Sequence, residues 1–147
     1  MLNRPFHLVG GLHATLVTMT ARPIALSLAL LFATALAGLA IRFAHLGLPL
    51  CIVKYGGSML WALMIYWIVS SILPLWRMIP VVLLAGLLAT TVEVFKLYHS
   101  PALDAFRLTI PGILLLGRIF SVWDIVAYLL AISAGAFVDS QLLRRRG

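Results

Sequence analysis

Long stretches without a charged residue restrict the folds open to this chain more than any other feature. Residues 23–41 and 55–76 carry no charge, and each is close to or above the roughly 20 apolar residues that a helix needs to cross a bilayer. Segments inside lipid must satisfy their own backbone polar groups, which favours helices. Two later stretches reach full length only if they include Glu93, or Asp124 and Asp139. The sequence therefore predicts an all-α membrane protein, a bundle of four transmembrane helices over about residues 23–42, 56–75, 78–98 and 122–142.

Composition supports a single membrane domain and excludes a separate soluble catalytic domain. The 147 residues are 63% hydrophobic and 10% charged, whereas soluble domains carry roughly a quarter charged residues. The single cysteine, Cys51, excludes an intrachain disulfide and a cysteine metal site. The net charge of +7 comes from basic residues spread between apolar stretches. This spacing favours positive loops and contact with anionic lipid headgroups over nucleic-acid binding.

The connection between the third and fourth spans contains a shorter apolar stretch. Residues 108–117 are too few to cross a bilayer and include Pro111 and Gly112. Segments of this length are typically re-entrant, interfacial or buried. We therefore expect a short re-entrant or interfacial segment here, and a fifth span over residues 102–118 is the less favoured alternative.

The two ends of the chain suggest an orientation in the membrane. Residues 1–22 are interpreted as an N-terminal cytoplasmic segment and 143–147 as a basic cytoplasmic tail, because short arginine-rich tails obey the positive-inside rule. Met19 is an alternative start to Met1. Residues 35–37 resemble a signal-peptidase site, but the apolar stretch continues beyond them to Ile41, so cleavage of the first span is not favoured.

Small residues recur every fourth position in two of the predicted spans. In the first span the repeat consists of Ala25, Ala29, Ala33 and Ala37; in the fourth it consists of Ala127, Ala131 and Gly135. Such spacing lets helix backbones approach closely in lipid. Both repeats are therefore predicted to be helix-packing stripes.

Most of the distinctive polar residues lie in two segments, the start of the second span and residues 93–128. The predicted topology brings both segments to one end of the bundle, the outer membrane face. This set defines a candidate ligand-binding site. Its members are Lys54, Tyr55, Trp61, Glu93, Lys96, Asp104, Arg107, Arg118, Asp124 and Tyr128.

Several members have two readings that the sequence leaves open. Glu93 either pairs with Lys96 near the interface, where Lys96 would snorkel, or faces inward and binds a ligand or a proton. Asp124 either completes a capping box with Ser121 or frames an anion site. Arg107 either pairs with Asp104 or faces a ligand.

Chemistry at the site is equally open. The candidate catalytic residues are Glu93, Asp124 and His99, and interfacial hydrogen bonding of His99 is favoured over proton transfer. No second histidine or cysteine is suitably spaced for a metal site, and the chain lacks nucleotide-binding and hydrolase motifs. We therefore expect no metal and no cofactor.

At these residues the sequence resembles a bacterial family described as "domain of unknown function 2809", over roughly residues 25–140. The resemblance rests on the words KYGGSMLWA from Lys54, EVFKLYHSPALDAFRLT from Glu93, and LGRIFSVWD from Leu116. The family often has glutamine at the position of Lys96. A role that depends on the glutamine amide therefore cannot be carried over to this chain.

The order of Glu93, Lys96, Arg107 and Asp124 is also similar, more distantly, to the VanZ-like family, small membrane proteins linked to glycopeptide resistance. That resemblance implies a bacterial inner membrane and a cell-envelope context, without implying a reaction. The favoured hypothesis is binding of an anionic lipid or a lipid-linked glycan headgroup. The alternatives are an intramembrane enzyme acting on such a lipid, an oligomeric proton-coupled transporter or channel, and a scaffold in an envelope complex.

Overall fold

The computed structural model describes residues 22–43, 47, 49–117 and 119–144, and all regular secondary structure in them is helical. Four helices are long and apolar enough to cross a membrane, which confirms the predicted four-helix membrane fold. The remaining two helices are short and connect the third long helix to the last. In chain order the helices are α1 (Ile24–Phe43), α2 (Leu50–Ile72), α3 (Met78–Phe95), α4 (Pro101–Arg107), α5 (Ile110–Leu115) and α6 (Val122–Arg144).

The second span departs most from its predicted boundaries. Helix α2 begins at Leu50 rather than near residue 56, directly after Pro49, and it ends at Ile72 instead of 75, two residues before Pro74. Lys54 therefore lies within the second turn of the helix. A lysine near a helix end is compatible with a transmembrane segment because its long side chain can extend toward the interface. Proline, rather than charge, marks both ends of this span.

Helices α2, α3 and α6 pack against one another, whereas α1 packs against α2 alone. The interior of the three-helix core is built largely from small residues. These include Ala85 and Ala89 of α3 and Ala131 of α6, packed around Tyr66 and Ile132. Because lipid tails are as apolar as these side chains, close van der Waals packing is what holds such helices together.

The two predicted packing stripes have opposite outcomes. Ala127, Ala131 and Gly135 are buried in the core, which confirms the prediction for α6. The α1 prediction is wrong for contacts within this chain, because Ala25, Ala29, Ala33 and Ala37 are all exposed.

Helix α1 buries Ser27 and Thr34 instead of the alanines. The Thr34 hydroxyl donates to backbone carbonyls one turn earlier, at 2.9 Å from the oxygens of both Leu30 and Leu31. Small hydroxyl residues permit the same close approach as alanine, and burial against α2 also removes their polar groups from lipid. Periodicity alone could not choose between these two faces.

An ion pair joins the start of the first span to the end of the last. Nε of Arg22 lies 2.7 Å from Oδ2 of Asp139, and the Tyr66 hydroxyl donates to the same oxygen at 2.9 Å. The Arg22 backbone N–H also donates to the carbonyl of Pro74 at 3.2 Å. We call Arg22, Tyr66 and Asp139 the Asp139 cluster. It places the start of α1 and the end of α6 at the same end of the bundle.

The segment between α3 and α6 contains two short helices instead of a fifth span. Helices α4 and α5 have 7 and 6 residues, and α5 is capped by Thr109, whose hydroxyl accepts from the Gly112 N–H at 3.2 Å. A Cβ added at Gly112 would lie 1.9 Å from the Phe106 carbonyl oxygen. Glycine at this position therefore lets α5 fold back against α4. The predicted N-terminal segment, residues 1–21, and the tail residues 145–147 lie outside the described residues.

We predict that Gly135→Val lowers the free energy of unfolding by about 1–3 kcal/mol, the usual cost of overpacking a tight core. A Cβ at this position would lie 2.7 Å from Leu63 Cδ1 and 3.1 Å from Tyr66 Cδ1. Denaturant unfolding in detergent micelles, followed by tryptophan fluorescence, measures the change. Gly57→Ala is the control, since its Cβ meets nothing within 4 Å. Equal losses in both variants would contradict the packing described here.

Candidate functional site

Glu93, in the last turn of α3, is the most completely buried charged residue of the described chain, with 0% of its surface exposed. Its carboxylate accepts three hydrogen bonds. Oε1 accepts from the Ser121 backbone N–H at 2.9 Å, and Oε2 accepts from the Tyr128 hydroxyl at 2.6 Å and from the Lys96 ammonium. We call Glu93, Lys96, Ser121, Asp124 and Tyr128 the Glu93 cluster. It joins the end of α3 to the start of α6.

Lys96 pairs with Glu93, one of the two arrangements that the sequence left open, and the pair is buried inside the protein. Lys96 is only 7% exposed, so it does not snorkel. Its ammonium contacts Glu93 and lies 4.0 Å from Oδ2 of Asp124. Gly117, at φ +66°, passes so close that an added Cβ would lie 3.0 Å from Cε of Lys96. The backbone before α6 therefore covers the lysine.

The predicted capping box between Ser121 and Asp124 is not formed. In a capping box the acidic side chain would accept from the Ser121 N–H, but Glu93 takes that donor. Oδ1 of Asp124 is buried and accepts no hydrogen bond from any residue in the described structure. Asp124 is thus a buried carboxylate with an unused acceptor.

A cavity of about 730 Å³ opens beside the Glu93 cluster. Side chains of α1, α2 and α5 form most of its wall, and Lys96, Asp124 and Tyr128 reach it from the cluster. The Tyr128 ring packs at 5.5 Å, centroid to centroid, from that of Trp61, which also lines the cavity. Apolar residues make up most of the remaining wall, including Leu39, Val53, Leu60, Met64, Val92 and Leu114.

Two exposed cations border the same cavity. Arg42 lies in the last turn of α1 and Lys54 in the second turn of α2. Neither forms an ion pair with a residue in the described ranges. The Lys54 ammonium lies 5.2 Å from the centroid of the Tyr55 ring. Their charges are therefore available to an anionic group that enters the cavity.

Arg107 and its neighbours form a separate structural contact. The Arg107 guanidinium donates at 2.9 Å to the carbonyls of both Phe95 and Tyr98, and at 3.1 Å to Oδ1 of Asp104. The side chain is only 3% exposed and does not line the cavity. It satisfies carbonyls at the end of α3, where intrahelical donors run out.

Of the residues predicted to bind a ligand, five line the cavity: Lys54, Trp61, Lys96, Asp124 and Tyr128. Glu93 lies directly behind them. Tyr55, Asp104 and Arg107 are elsewhere, and His99 is an exposed partner of Asp104, with Nδ1 and Oδ1 3.2 Å apart. Arg118 lies outside the described residues. No group of three His, Cys, Asp or Glu side chains in the described ranges is close enough to hold a metal.

Sequence reasoning missed Arg42, Ser58 and Thr34 as cavity residues and missed the Asp139 cluster entirely. The available signal for that cluster was Asp139 itself, an acidic residue inside an apolar span, because such residues need a partner. The partner, Arg22, lies 117 positions away, directly before the first span, and spacing along the sequence cannot pair residues at that separation.

Comparison with family models matches residues 48–132 to "Protein of unknown function (DUF2809)". The match covers more than half of the chain. The chain belongs to the DUF2809 family. The DUF2809 region runs from the start of α2 into α6 and contains the whole Glu93 cluster, whereas Arg42 and the Asp139 carboxylate lie outside it. Searches of curated proteins and of solved structures found no match.

We predict that Glu93→Gln lowers the free energy of unfolding by about 3–5 kcal/mol, because it leaves the buried Lys96 ammonium without its main partner. Unfolding in detergent micelles measures the change. Asp104→Asn is the matched control. Its ion pairs with His99 and Arg107 involve a half-exposed carboxylate, so we expect a loss of at most about 1 kcal/mol. A Glu93 variant as stable as the Asp104 variant would contradict the central role of this carboxylate.

Proposed function

We propose that this DUF2809 protein binds a phosphate-bearing lipid, with an acyl chain along the apolar wall of the cavity and the phosphate at Arg42 and Lys54. The observation that supports this proposal is the composition of the wall, which combines a long apolar surface with two unpaired cations at one end. Lipids have the same division between an apolar chain and a charged head. Anionic lipids and lipid-linked glycans both meet this description.

The dimensions of the cavity suit such a ligand. Its volume of about 730 Å³ falls within the range of roughly 300–1,000 Å³ typical of ligand pockets. On α2 its lining runs from Leu50 to Met64, a rise of about 21 Å along a helix. A chain of that extent crosses much of one hydrocarbon core, which is roughly 30 Å thick.

We infer further that the protein resides in a bacterial inner membrane with the start of α1 and the end of α6 toward the cytoplasm. The arginine run at residues 144–146 supports this orientation. The cavity then opens in the outer half of the bilayer. The distant likeness to VanZ-like proteins supports an envelope role.

Alkaline phosphatase fused after Gly47 should be active and fused after Arg77 inactive; the reverse pattern would overturn the orientation.

An enzymatic function has less support than binding. Acid–base chemistry needs a carboxylate or a histidine within reach of the substrate. Glu93 is fully buried and already accepts three hydrogen bonds, and His99 lies outside the cavity lining. Asp124 is the one remaining member of the three catalytic candidates that borders the cavity.

Proton-coupled transport also has less support. A proton path would have to connect the Glu93 cluster to the Asp139 cluster at the opposite end. Much of the described core is apolar, including Val81, Ala85, Ala89, Ala131 and Ile132, and these side chains cannot relay protons. Assembly of several copies stays a prediction, as does a scaffold role.

We predict that Lys54→Gln and Arg42→Gln each weaken binding of a phosphate-bearing lipid about fivefold, since a basic residue near anionic lipid contributes about 1 kcal/mol. Native mass spectrometry of the purified protein with phosphatidylglycerol measures the affinity, and diacylglycerol with the same chains is the neutral reference.

Arg77→Gln is the matched control for these variants. It makes the same change of charge at an exposed residue, but at the opposite end of the bundle. Equal weakening by Arg77→Gln, or equal binding of diacylglycerol and phosphatidylglycerol, would overturn the proposal.

A further inference from the structure

We propose that the headgroup bound in this cavity carries a protonated primary amine beside its phosphate, and that the amine donates hydrogen bonds to Asp124. The inference rests on the proposed function and narrows it. Among phosphate-bearing lipids it selects the zwitterionic class with an aminoalkyl phosphate, such as a phosphoethanolamine headgroup.

The first argument is the unused acceptor on the cavity wall. Asp124 is only 5% exposed, borders the cavity, and has an oxygen, Oδ1, without a hydrogen-bond donor among the described residues. Buried polar atoms are nearly always paired, because an unpaired one loses its hydration without compensation. The local donor, the Ser121 N–H, is held by Glu93 at 2.9 Å. A donor from the cavity side would complete the arrangement.

The second argument is the balance of charge. The Glu93 cluster contains two carboxylates, Glu93 and Asp124, but one ammonium, that of Lys96. Lys96 contacts Glu93 directly and lies 4.0 Å from Oδ2 of Asp124, so it neutralises mainly the first. An excess negative charge in a mainly apolar wall attracts a cation. A ligand ammonium supplies both the cation and the N–H donors.

The other polar residues of α2 that line the cavity do not neutralise Asp124 in the structure. The Lys54 ammonium lies over the ring of Tyr55 and forms no ion pair with Asp124. Ser58, one turn further along α2, borders the same cavity and its hydroxyl lies beside Asp124 and Tyr128, but a hydroxyl carries no charge. With Lys54 and Arg42 available to the phosphate, the wall offers separate partners to the two charges of a zwitterionic head.

The experiment compares three lipids with identical acyl chains by native mass spectrometry of the full chain. Phosphatidylethanolamine carries a primary ammonium, phosphatidylcholine carries a quaternary ammonium without N–H donors, and phosphatidylglycerol carries hydroxyls and no cation. We expect phosphatidylethanolamine to bind at least about tenfold more tightly than phosphatidylcholine and several-fold more tightly than phosphatidylglycerol. Equal binding of the three by the unmodified protein would overturn the inference.

Variants locate the preference within the site. Asp124→Asn should remove the preference for the primary amine while phosphatidylglycerol binding persists, and Asp104→Asn, the same change outside the cavity, should keep it. A preference that persists in Asp124→Asn would assign the amine to another residue and overturn the inference. If Asp124→Asn does not fold, the three-lipid comparison on the unmodified protein decides alone.

The outcome also separates this inference from the proposed function. Lipid binding that depends on Lys54 but shows no preference for the primary amine would support the phosphate site and overturn the inference about the amine. If none of the three lipids binds more tightly than diacylglycerol, both the proposed function and the inference about the amine are overturned.

Discussion

The rest of the structure depends on one buried carboxylate, that of Glu93. Its three donors come from three places: the residue after α3, the backbone before α6, and a tyrosine in the second turn of α6. A charge inside a membrane helix is costly unless it is paired, so these partners must assemble together. Because the Ser121 N–H donates to Glu93, it does not donate to Asp124, whose Oδ1 has no hydrogen-bond partner among the described residues. The same interaction therefore joins α3 to α6 and leaves a carboxylate oxygen without a donor in the cavity wall.

The two ends of the bundle use the same solution with different residues. At each end a carboxylate accepts from a tyrosine hydroxyl of a neighbouring helix and contacts a basic side chain. The partners are Tyr128 and Lys96 at one end, and Tyr66 and Arg22 at the other. Between them the packing is apolar and uses small residues. Polar contacts thus determine which helices meet at the ends, and close packing determines how near they approach in the middle.

The sequence predicted what depends on local spacing. Four apolar stretches predicted four spans, and the small residues of α6 predicted its packing face. The three-residue spacing indicated the Glu93–Lys96 pair as one of two possible arrangements. Contacts between distant residues were beyond it: Tyr128 is 35 positions from Glu93, and Arg22 is farther still from Asp139. The sequence also could not predict what the Arg107 guanidinium binds, because Asp104, the carbonyls at the end of α3 and a ligand are all possible acceptors. Arg42 lines the cavity because of the way α1 packs on α2. The sequence could not predict this, because two faces of α1 carry small residues and either could have packed on α2.

The fixed ends of α6 have a consequence for how the protein meets bilayers of different thickness. Tyr128 and Asp139 of α6 are hydrogen-bonded to Glu93 of α3 and Tyr66 of α2, and the 11 positions between them correspond to about 16 Å along a helix. Helices usually accommodate mismatch with the bilayer by tilting or kinking, but α6 cannot shift along its neighbours without breaking these buried contacts. Helix α1 contacts only α2 and has no such constraint along most of its length. Adjustment to a thinner or thicker membrane therefore falls to α1, and each such tilt changes the width of the cavity that α1 encloses.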